Sequence, residues 1–483
     1  MFDVLAQVMV NIRSVIYING IVVCCLAGIL ALPLLYDCIF NNSECFGVFA
    51  PSIIANVFLG GLMVLSCRSG NKLSFTSKDT FLLVVTVWIS TAIICSFPFY
   101  VYSAVKLKFI SALFESVSGI TTTGATVYHD VEILPKALNL WRFILHFIGG
   151  VGIIAIGIII LPVMRIGGMQ LFQTENSDKS QKIFPRATQT IKFFIWLYIS
   201  LICVFAFCLK MSGMSTFDAI CHGISAISTG GFSTKNLGID FFNSAQIKLI
   251  MSFGMFIGGI TFLEIIKCLR IRFRSFLSSP QIVGYIKLVL FMIFVPIFIT
   301  LITDGEHVTL DSLATHIYAT ISAITTTGLN FNGYTSSNML MLLLAITGGC
   351  SGSTTGGIKI FRIQILFAVL KNHICKLVRP FDISVPKYQG KKIDDGLTKS
   401  VITFTLSLMI VFAISCTFLE IFTNMSFSEI SYRVFSCLLN LGCGEKFEFL
   451  PALSKIVLIC DMIAGRLEII PAFIIFSKIF WKE

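Results

Sequence analysis

The sequence predicts an all-α polytopic membrane protein in which four related units follow two extra transmembrane helices. Three observations support this fold class: the composition, the length of the apolar stretches and an internal repeat. The 483 residues are 56% hydrophobic and only 13% charged, whereas soluble domains carry about 25% charged residues. Too few polar side chains remain to cover the surface of a soluble protein of this size, which excludes a soluble enzyme.

Apolar stretches long enough to cross a bilayer recur from one end of the chain to the other. A helix needs about 20 apolar residues to cross a hydrocarbon core of about 30 Å. We therefore predict ten crossings, the eighth of them long and interrupted by glycines. They run over Val15–Leu35, Gly47–Ser66, Asp79–Ser103, Leu140–Val163, Thr188–Met211, Ala245–Leu269, Ile282–Ile302, Ser337–Val369, Lys399–Thr423 and Ala452–Phe476.

Basic residues predict which loops face the cytoplasm. Lysines and arginines cluster after the second, fourth, sixth and eighth crossings, whereas the loops between them carry fewer cations and include Asp37 and Glu44. Because cytoplasmic loops retain an excess of Lys and Arg, we expect the basic loops and both termini in the cytoplasm. The net charge of +11 is then expected to reflect topology and contact with membrane lipid or a partner, not nucleic-acid binding.

A short motif occurs four times along the chain. Its copies are Ser118–Gly124, Ser225–Gly231, Ser322–Gly328 and, in degenerate form, Leu439–Gly444. Each copy follows an apolar segment too short to cross the bilayer, and each precedes a long span. A second, glycine-containing tag follows within those spans, at Ile148–Gly152, Ile257–Thr261, Thr347–Ser351 and Ile463–Leu467. Each unit is therefore expected to contain a span, a short re-entrant helix, a turn and a second span.

These units divide the chain into five predicted parts. Residues 1–70 contain the two N-terminal transmembrane helices. Pore repeats 1 to 4 occupy residues 71–165, 166–275, 276–385 and 386–483.

Four such turns at membrane depth favour a pseudo-fourfold pore for cations. Non-helical backbone inside a bilayer is tolerated only where it is buried in protein or lines a water-filled cavity. A ring of carbonyl oxygens can replace the hydration shell of a monovalent cation, and the C-termini of the short helices direct partial negative charge towards it. The alternative is that Gly and Thr are small residues that pack helices together. Four copies in register favour the pore.

The sequence resembles the Trk/Ktr/HKT superfamily of potassium transporters, and within it the membrane subunits of Trk systems. The resemblance covers nearly the whole chain. Besides the repeats, it includes Leu161–Pro162 followed by Gly167–Glu175, Gly348–Lys359 and Gly465–Glu468. One residue departs from the family pattern, because Cys443 stands where a proline is usual.

The resemblance implies a potassium selectivity filter whose glycines are Gly124, Gly230, Gly328 and Gly442. Four glycines go with potassium preference in this family. The implied filter residues are Thr121, Thr122, Thr123, Gly124, Ser228, Thr229, Gly230, Thr325, Thr326, Thr327, Gly328, Asn440, Leu441 and Gly442. Those expected to bind K+ through their backbone carbonyls are Thr122, Thr123, Ser228, Thr229, Thr326, Thr327, Asn440 and Leu441.

The resemblance also implies an intramembrane loop, Gly348–Gly357, that gates the pore below the filter. The implied gate residues are Gly348, Gly349, Ser351, Gly352, Ser353, Thr354, Gly356, Gly357 and Arg466. It further implies a homodimer in a bacterial inner membrane, with one pore per protomer and a cytosolic ring of nucleotide-binding regulatory subunits of the TrkA type. K+ is then the transported ion, and no organic cofactor is expected on this chain.

Arg466 is the most informative charged residue at membrane depth. By alignment of the tags it occupies the position of Val151, Ile260 and Cys350. Placing an arginine at the centre of a membrane helix costs about 2.5–3.5 kcal/mol on insertion scales. One interpretation places its charge in the conduction path, where it repels potassium until the loop rearranges. The other is a structural pair with Asp461 or Glu468, or a side chain that snorkels to the membrane surface.

The sequence allows two roles for each of two further charged residues and predicts one ion pair. Lys359 either holds the glycine-rich loop in place or marks the cytoplasmic end of a helix. Glu115 either attracts cations to the outer mouth or packs the first pore helix. Glu264 is expected to pair with Lys267.

The function expected from these observations is potassium uptake through a gated, selective pore driven mainly by membrane potential. No enzyme is predicted, because the histidines form no ligand pair and Gly352–Lys359 lacks the GxxxxGK[ST] pattern of a phosphate loop. The alternatives are a sodium-coupled or weakly selective K/Na transporter, and a non-conducting membrane sensor that retains the fold.

Overall fold

The described part of the chain is mostly helical. A computed structural model describes residues 11–40, 44–68, 76–159, 187–270, 279–303, 309–329, 344–379, 381, 385–388, 390–442, 447–469, 473–474 and 477–481. Within these ranges the only sheet is a hairpin of two short antiparallel strands, β1 (Lys387–Tyr388) and β2 (Lys391–Lys392). The predicted all-α class is confirmed. The motif at 161–175 and Cys443 lie outside the described residues.

The first two helices pack tightly against each other. They are α1 (Ile12–Phe40) and α2 (Phe46–Cys67). A Cβ atom added to Gly60 would lie 2.9 Å from the carbonyl oxygen of Gly20, so the two backbones approach at a pair of glycines. Small residues allow this close approach between membrane helices. Asn19 connects α1 to the next span, because its Nδ2 donates to the Thr86 hydroxyl at 3.0 Å and its Oδ1 accepts from Ser90 at 2.9 Å.

Repeat 1 contains the predicted span, short helix and second span. They are α3 (Ser77–Cys95), continued by α4 (Phe97–Val101), then α5 (Phe109–Ile120) and α6 (Lys136–Ile159). Repeat 4 has the same order, with α14 (Asp395–Phe422), α15 (Phe427–Leu438) and α16 (Ala452–Arg466). A last short helix, α17 (Lys478–Trp481), follows.

Repeats 2 and 3 depart from continuous spans. Repeat 2 contains α7 (Ala187–Met211), α8 (Thr216–Ser228), a 3₁₀ turn (Gly238–Phe242), α9 (Ala245–Gly258) and α10 (Phe262–Arg270). Repeat 3 contains α11 (Pro280–Thr303), α12 (Leu310–Ile324) and α13 (Ile360–Val378). Before α13 the backbone leaves the helical conformation over the glycine loop, which we define as Gly348–Gly357.

The sixth crossing, predicted as one helix over Ala245–Leu269, is instead broken. Helices α9 and α10 meet at an angle of 95°. The glycine loop occupies the break: the amide of Cys350 donates to the carbonyl oxygen of Gly259 at 2.9 Å, and that of Thr354 to Gly258 at 3.3 Å. Carbonyls that would otherwise continue the helix are thus satisfied by a segment distant in sequence.

Seven described helices are long and apolar enough to cross a membrane, or eight if α9 and α10 are counted as one bent span. When α9 and α10 are counted as one span, eight of the ten predicted crossings are found among these helices, and the eighth and the tenth are not. The eighth falls partly on residues 330–343, which the structure does not describe, and its described part is divided by the glycine loop. The tenth is represented by α16, which ends at Arg466 after 15 residues.

The short helices α5, α8, α12 and α15 are the predicted pore helices. Serine or threonine caps three of them: Ser215, Thr309 and Ser426 accept hydrogen bonds from amides three residues further on. Such caps satisfy amides that have no partner inside the helix. The C-terminal halves of all four helices are buried. Helices α5, α8 and α12 end inside a copy of the repeated motif, and α15 ends directly before the fourth copy.

Candidate ion pathway

The four repeated motifs adopt one backbone conformation. A residue with positive φ follows each pore helix, at Thr122 (51°), Thr229 (50°), Thr326 (51°) and Asn440 (55°). Two residues later comes a glycine with positive φ, at Gly124 (82°), Gly231 (85°), Gly328 (70°) and Gly442 (60°). Between them, the amides of Thr123, Gly230, Thr327 and Leu441 donate to the carbonyls of Ser118, Ser225, Ser322 and Ser436 at 2.8–2.9 Å. We call these four segments the filter turns.

The glycine of the second filter turn is Gly231, not Gly230 as predicted. Gly230 occupies the position of Thr123, and Thr229 that of Thr122. In this turn the carbonyls of Thr229 and Gly230 therefore correspond to those of Thr122 and Thr123. Ser228 corresponds to Thr121. The motif copies Ser118–Gly124 and Ser225–Gly231 already align Gly231 with Gly124, and the backbone dihedral angles agree with that alignment.

The filter turns contact one another in a closed ring. A Cβ atom added to the glycine of any turn would overlap the carbonyl oxygen of the next turn around the ring. The facing pairs are Gly124 with Gly230, Gly231 with Thr327, Gly328 with Leu441, and Gly442 with Thr123. A side chain at any of these positions would clash with the facing carbonyl oxygen. A residue other than glycine would also adopt the positive φ only at a cost in free energy. Each turn thus contacts the turn of the next repeat, and turn 4 contacts turn 1, which is a pseudo-fourfold arrangement.

The C-terminal ends of the turns open into a common cavity. Its volume is about 530 Å³, and Gly124, Gly231, Gly328 and Gly442 all line it. Asp130 and Arg142 also line this cavity. The side-chain amide of Asn236 donates to Asp130 at 2.7 Å, and this hydrogen bond holds the pKa of Asp130 below its usual value. Sequence reasoning missed both residues, because neither belongs to the repeated motif.

Glu115 lies behind the filter and not at its mouth. It is fully buried, and its Oε1 accepts from Nε of Arg142 at 2.8 Å. Its carboxylate also accepts from the amide of Val127 at 3.0 Å. Arg142 reaches the second repeat, with its guanidinium 4.1 Å from the ring centroid of Phe232. Of the two interpretations, the packing of the first pore helix is the one that these contacts support.

The glycine loop contacts the opposite ends of the turns. The amide of Gly356 donates to the Thr326 hydroxyl at 2.7 Å, and the Thr354 hydroxyl lies 3.2 Å from that of Thr229. A Cβ atom added to Gly356 would overlap the carbonyl oxygen of Leu439. The loop therefore touches filter turns 2, 3 and 4 on the side away from the cavity.

Arg466 links this loop to the first repeat. Its guanidinium is buried and donates to the carbonyl oxygens of Thr354 at 2.7 Å and Gly149 at 3.3 Å. The two acidic residues considered as partners are engaged elsewhere. Asp461 accepts from the Ser415 hydroxyl at 2.7 Å, and Glu468 pairs with Arg362 at 2.5 Å.

The position of Arg466 in its repeat also differs from the sequence alignment. Gly149 faces the carbonyl oxygen of Ile120, and Gly465 faces that of Leu438, which is the equivalent residue at the end of the last pore helix. Gly465 therefore corresponds to Gly149, and Arg466 corresponds to Gly150 instead of Val151. The fourth repeat thus places a guanidinium where the first repeat has no side chain.

The contacts of two lysines decide between the interpretations of Lys359 and identify the partner of Glu264. Lys359 is buried, and its ammonium donates to the carbonyl oxygen of Thr355 and, at 3.1 Å, to the hydroxyl of the same residue. It therefore holds the end of the glycine loop. Lys267 forms the expected pair with Glu264, at 2.6 Å.

Four equivalent turns, closed into a ring between a cavity and a buried loop, define the class: a polytopic membrane protein of four pore repeats. The chain belongs to the TrkH family of cation transport proteins. A family model with that description matches residues 47–293 and 332–482. Membership of a transport family bears out the prediction that the chain is not an enzyme.

Named relatives match over nearly their whole length. The chain is 32% identical to the Trk system potassium uptake protein TrkG of Escherichia coli, over 98% of this chain and 99% of that protein. It is 31% identical to TrkH of Vibrio parahaemolyticus, over 98% and 99%. The crystal structure of the potassium transporter TrkH from Vibrio parahaemolyticus matches with a TM-score of 0.90 and 29% identity, covering 98% of this chain and 100% of that one.

Proposed function

We propose that this chain takes up potassium across a membrane through a gated, selective pore formed by the four filter turns. The observation that carries this proposal is the ring in which the carbonyl oxygens of Thr123, Gly230, Thr327 and Leu441 each face the glycine of a neighbouring turn. A ring of carbonyls at the C-termini of four pore helices suits a dehydrated monovalent cation. The names of the relatives as potassium uptake proteins support potassium as that cation.

The proposed binding carbonyls follow the corrected alignment of the second turn. They are those of Thr122, Thr123, Thr229, Gly230, Thr326, Thr327, Asn440 and Leu441.

The gate in this proposal is the glycine loop together with Arg466. The loop touches three filter turns, and Arg466 connects it to the carbonyl oxygen of Gly149 in repeat 1. A buried cation on this route repels potassium, and the glycines give the loop the backbone freedom to rearrange. Opening then requires the hydrogen bond between Arg466 and Thr354 to break.

The proposed driving force is the membrane potential. Moving one cation inward is worth about 2.3 kcal/mol per 100 mV. Since a tenfold concentration ratio corresponds to about 1.4 kcal/mol, this energy supports roughly fifty-fold accumulation without coupling to another ion.

The proposal extends to location and assembly. We place the chain in a bacterial inner membrane with both termini in the cytoplasm, as a homodimer that binds a cytosolic nucleotide-binding subunit of the TrkA type. The relatives' names as parts of a Trk system support a transporter of several components.

Rubidium uptake into liposomes tests the proposed function. Purified protein is reconstituted, an inside-negative potential is imposed, and ⁸⁶Rb+ uptake is competed with excess K+ or Na+. Uptake blocked by K+ but not by Na+ supports the proposal. Equal block by both ions favours the weakly selective alternative, and an absence of uptake even for Arg466→Ala favours the non-conducting sensor. Protein-free liposomes are the control.

A further inference from the structure

The second filter turn lacks the side-chain bracing found in turns 1 and 3. In turn 1 the hydroxyls of Thr121 and Thr123 lie 2.7 Å apart, and in turn 3 those of Thr325 and Thr327 lie 2.8 Å apart. In turn 2 the second of these positions is Gly230, which has no side chain. Turn 2 therefore has no such hydroxyl pair, although the Ser225 hydroxyl accepts from the amide of Gly231 at 3.2 Å.

The imidazole ring of His146 occupies the space that a side chain at position 230 would take. A Cβ atom added to Gly230 would overlap the ring. His146 is fully buried on α6, which belongs to repeat 1. Its ring stacks on that of Phe232, with centroids 4.2 Å apart and an angle of 20° between the planes.

Two hydrogen bonds fix this ring between two repeats. Its Nδ1 lies 2.8 Å from the carbonyl oxygen of Gly119, in the last turn of the first pore helix. Its Nε2 lies 3.2 Å from the amide of Phe232, the residue directly after Gly231. Because the amide can only donate, Nε2 accepts, and Nδ1 carries the proton that it donates to Gly119. A neutral imidazole in one tautomer thus ties the second filter turn to the first pore helix.

The equivalent positions in repeats 2 and 4 are apolar. His146 lies three residues before Gly149, which faces the end of its pore helix. Three residues before the corresponding Gly258 and Gly465 are Met255 and Met462. The histidine is therefore not needed to fill this position in a span. It accompanies the one filter turn that has glycine where two others have threonine.

We propose that His146 is a positioning residue for selectivity: it holds the carbonyl oxygen of Gly230 in the ring, and Gly230 is glycine because the imidazole occupies its side-chain space. The inference rests on the proposed potassium function. Without the two hydrogen bonds the second turn can relax, and a ring that adapts its size discriminates less between K+ and Na+. His146 itself contacts backbone of the turn and not the ion.

The test compares variants by the ratio of Na+ to K+ concentrations that half-inhibit ⁸⁶Rb+ uptake into liposomes. His146→Met introduces the residue found at positions 255 and 462 and removes both hydrogen bonds. We expect it to lower the ratio about fivefold, the effect of losing roughly one net hydrogen bond. His146→Gln retains a donor for Gly119 and an acceptor for Phe232, so we expect it to keep most of the selectivity. Met255→Leu, the matched apolar control, should leave the ratio unchanged.

A double mutant tests the steric pairing. Gly230→Thr alone forces a side chain into the imidazole and should impair uptake. Combined with His146→Ala, the threonine has room beside Ser228, as Thr123 has beside Thr121, and we expect selectivity to exceed that of His146→Ala alone. Coupling of this kind is what a double-mutant cycle measures.

The outcomes separate this inference from the proposed function. If the wild type shows no K+-selective uptake, the proposed function fails. If the wild type is selective and His146→Met is equally selective at normal dimer yield, the inference alone is overturned. Loss of selectivity in His146→Gln as large as in His146→Met also overturns it, because the hydrogen bonds would then not be responsible. Thermal unfolding of each variant in detergent separates selectivity from stability.

Discussion

The guanidinium of Arg466 donates a hydrogen bond to the carbonyl oxygen of Thr354 at 2.7 Å. The two residues are far apart in sequence and belong to different repeats, yet this bond connects the end of α16 to the glycine loop. The same side chain reaches Gly149 in repeat 1. A single buried cation therefore joins three repeats on the side of the filter turns that the glycine loop contacts.

Replacing Arg466 with alanine is expected to raise basal cation flux. A hydrogen bond to a charged group contributes about 1.5–3 kcal/mol, so its loss shifts the loop towards an open state by at least about tenfold. The measurement is ⁸⁶Rb+ uptake by reconstituted protein without a regulatory subunit. Arg466→Lys keeps the charge but cannot donate to both carbonyl oxygens through a guanidinium. We expect it to raise basal flux by less than Arg466→Ala does. Flux no higher than wild type, at a normal yield of folded protein, would contradict a gating role.

The hydroxyl of Thr354 offers a second, milder test of the loop. It lies within hydrogen-bonding distance of the Thr229 hydroxyl and of the carbonyl oxygen of Gly258, at 3.2 and 3.1 Å. Thr354→Val keeps the shape and removes these bonds, and we expect basal uptake to rise about fivefold for the loss of roughly 1 kcal/mol. Thr347→Val is the matched control, since that hydroxyl donates locally, to the carbonyl oxygen of Leu344 at 2.7 Å. Equal uptake by the two variants would argue that the loop does not gate.

Sequence reasoning predicted the repeats, the re-entrant helices and the role of glycine, because these features follow from local patterns repeated four times. It named Gly230 as the second filter glycine, although the alignment of Ser225–Gly231 with Ser118–Gly124 puts Gly231 at that position, in agreement with its φ and its neighbours. The break between α9 and α10 was also missed. It depends on hydrogen bonds from Cys350 and Thr354 to carbonyls about ninety residues earlier in the chain, and no local signal carries that information.

Gly328→Ala tests whether the ring requires glycine for space as well as for backbone conformation. At φ 70° an alanine costs about 1–2 kcal/mol, and its Cβ would also overlap the carbonyl oxygen of Leu441. Gly390→Ala is a control with nearly the same φ, 75°, but no atom of the described residues lies within 4 Å of the added Cβ. We expect Gly328→Ala to abolish K+-selective ⁸⁶Rb+ uptake and Gly390→Ala to retain it. Similar uptake by both variants would show that close packing of the ring is dispensable.

Asp130 is expected to concentrate cations at the entrance to the filter. It lines the same cavity as the four filter glycines, and the hydrogen bond from Asn236 lowers its pKa, so it remains ionised at neutral and mildly acidic pH. A carboxylate in such a concave site raises the local cation concentration, and salt screens the effect over about 10 Å at 0.1 M.

Asp130→Asn should therefore raise the half-saturating Rb+ concentration by about twofold or more at low ionic strength, with maximal uptake unchanged. Glu132→Gln removes a neighbouring charge that pairs with Lys235 at 3.9 Å and does not line the cavity, so it should have the smaller effect. The difference between these two variants should disappear when an impermeant salt raises the ionic strength to about 0.5 M, where the screening length falls below 5 Å. A shift that persists at high salt would mean that Asp130 shapes the mouth through its hydrogen bond to Asn236, and not through its charge.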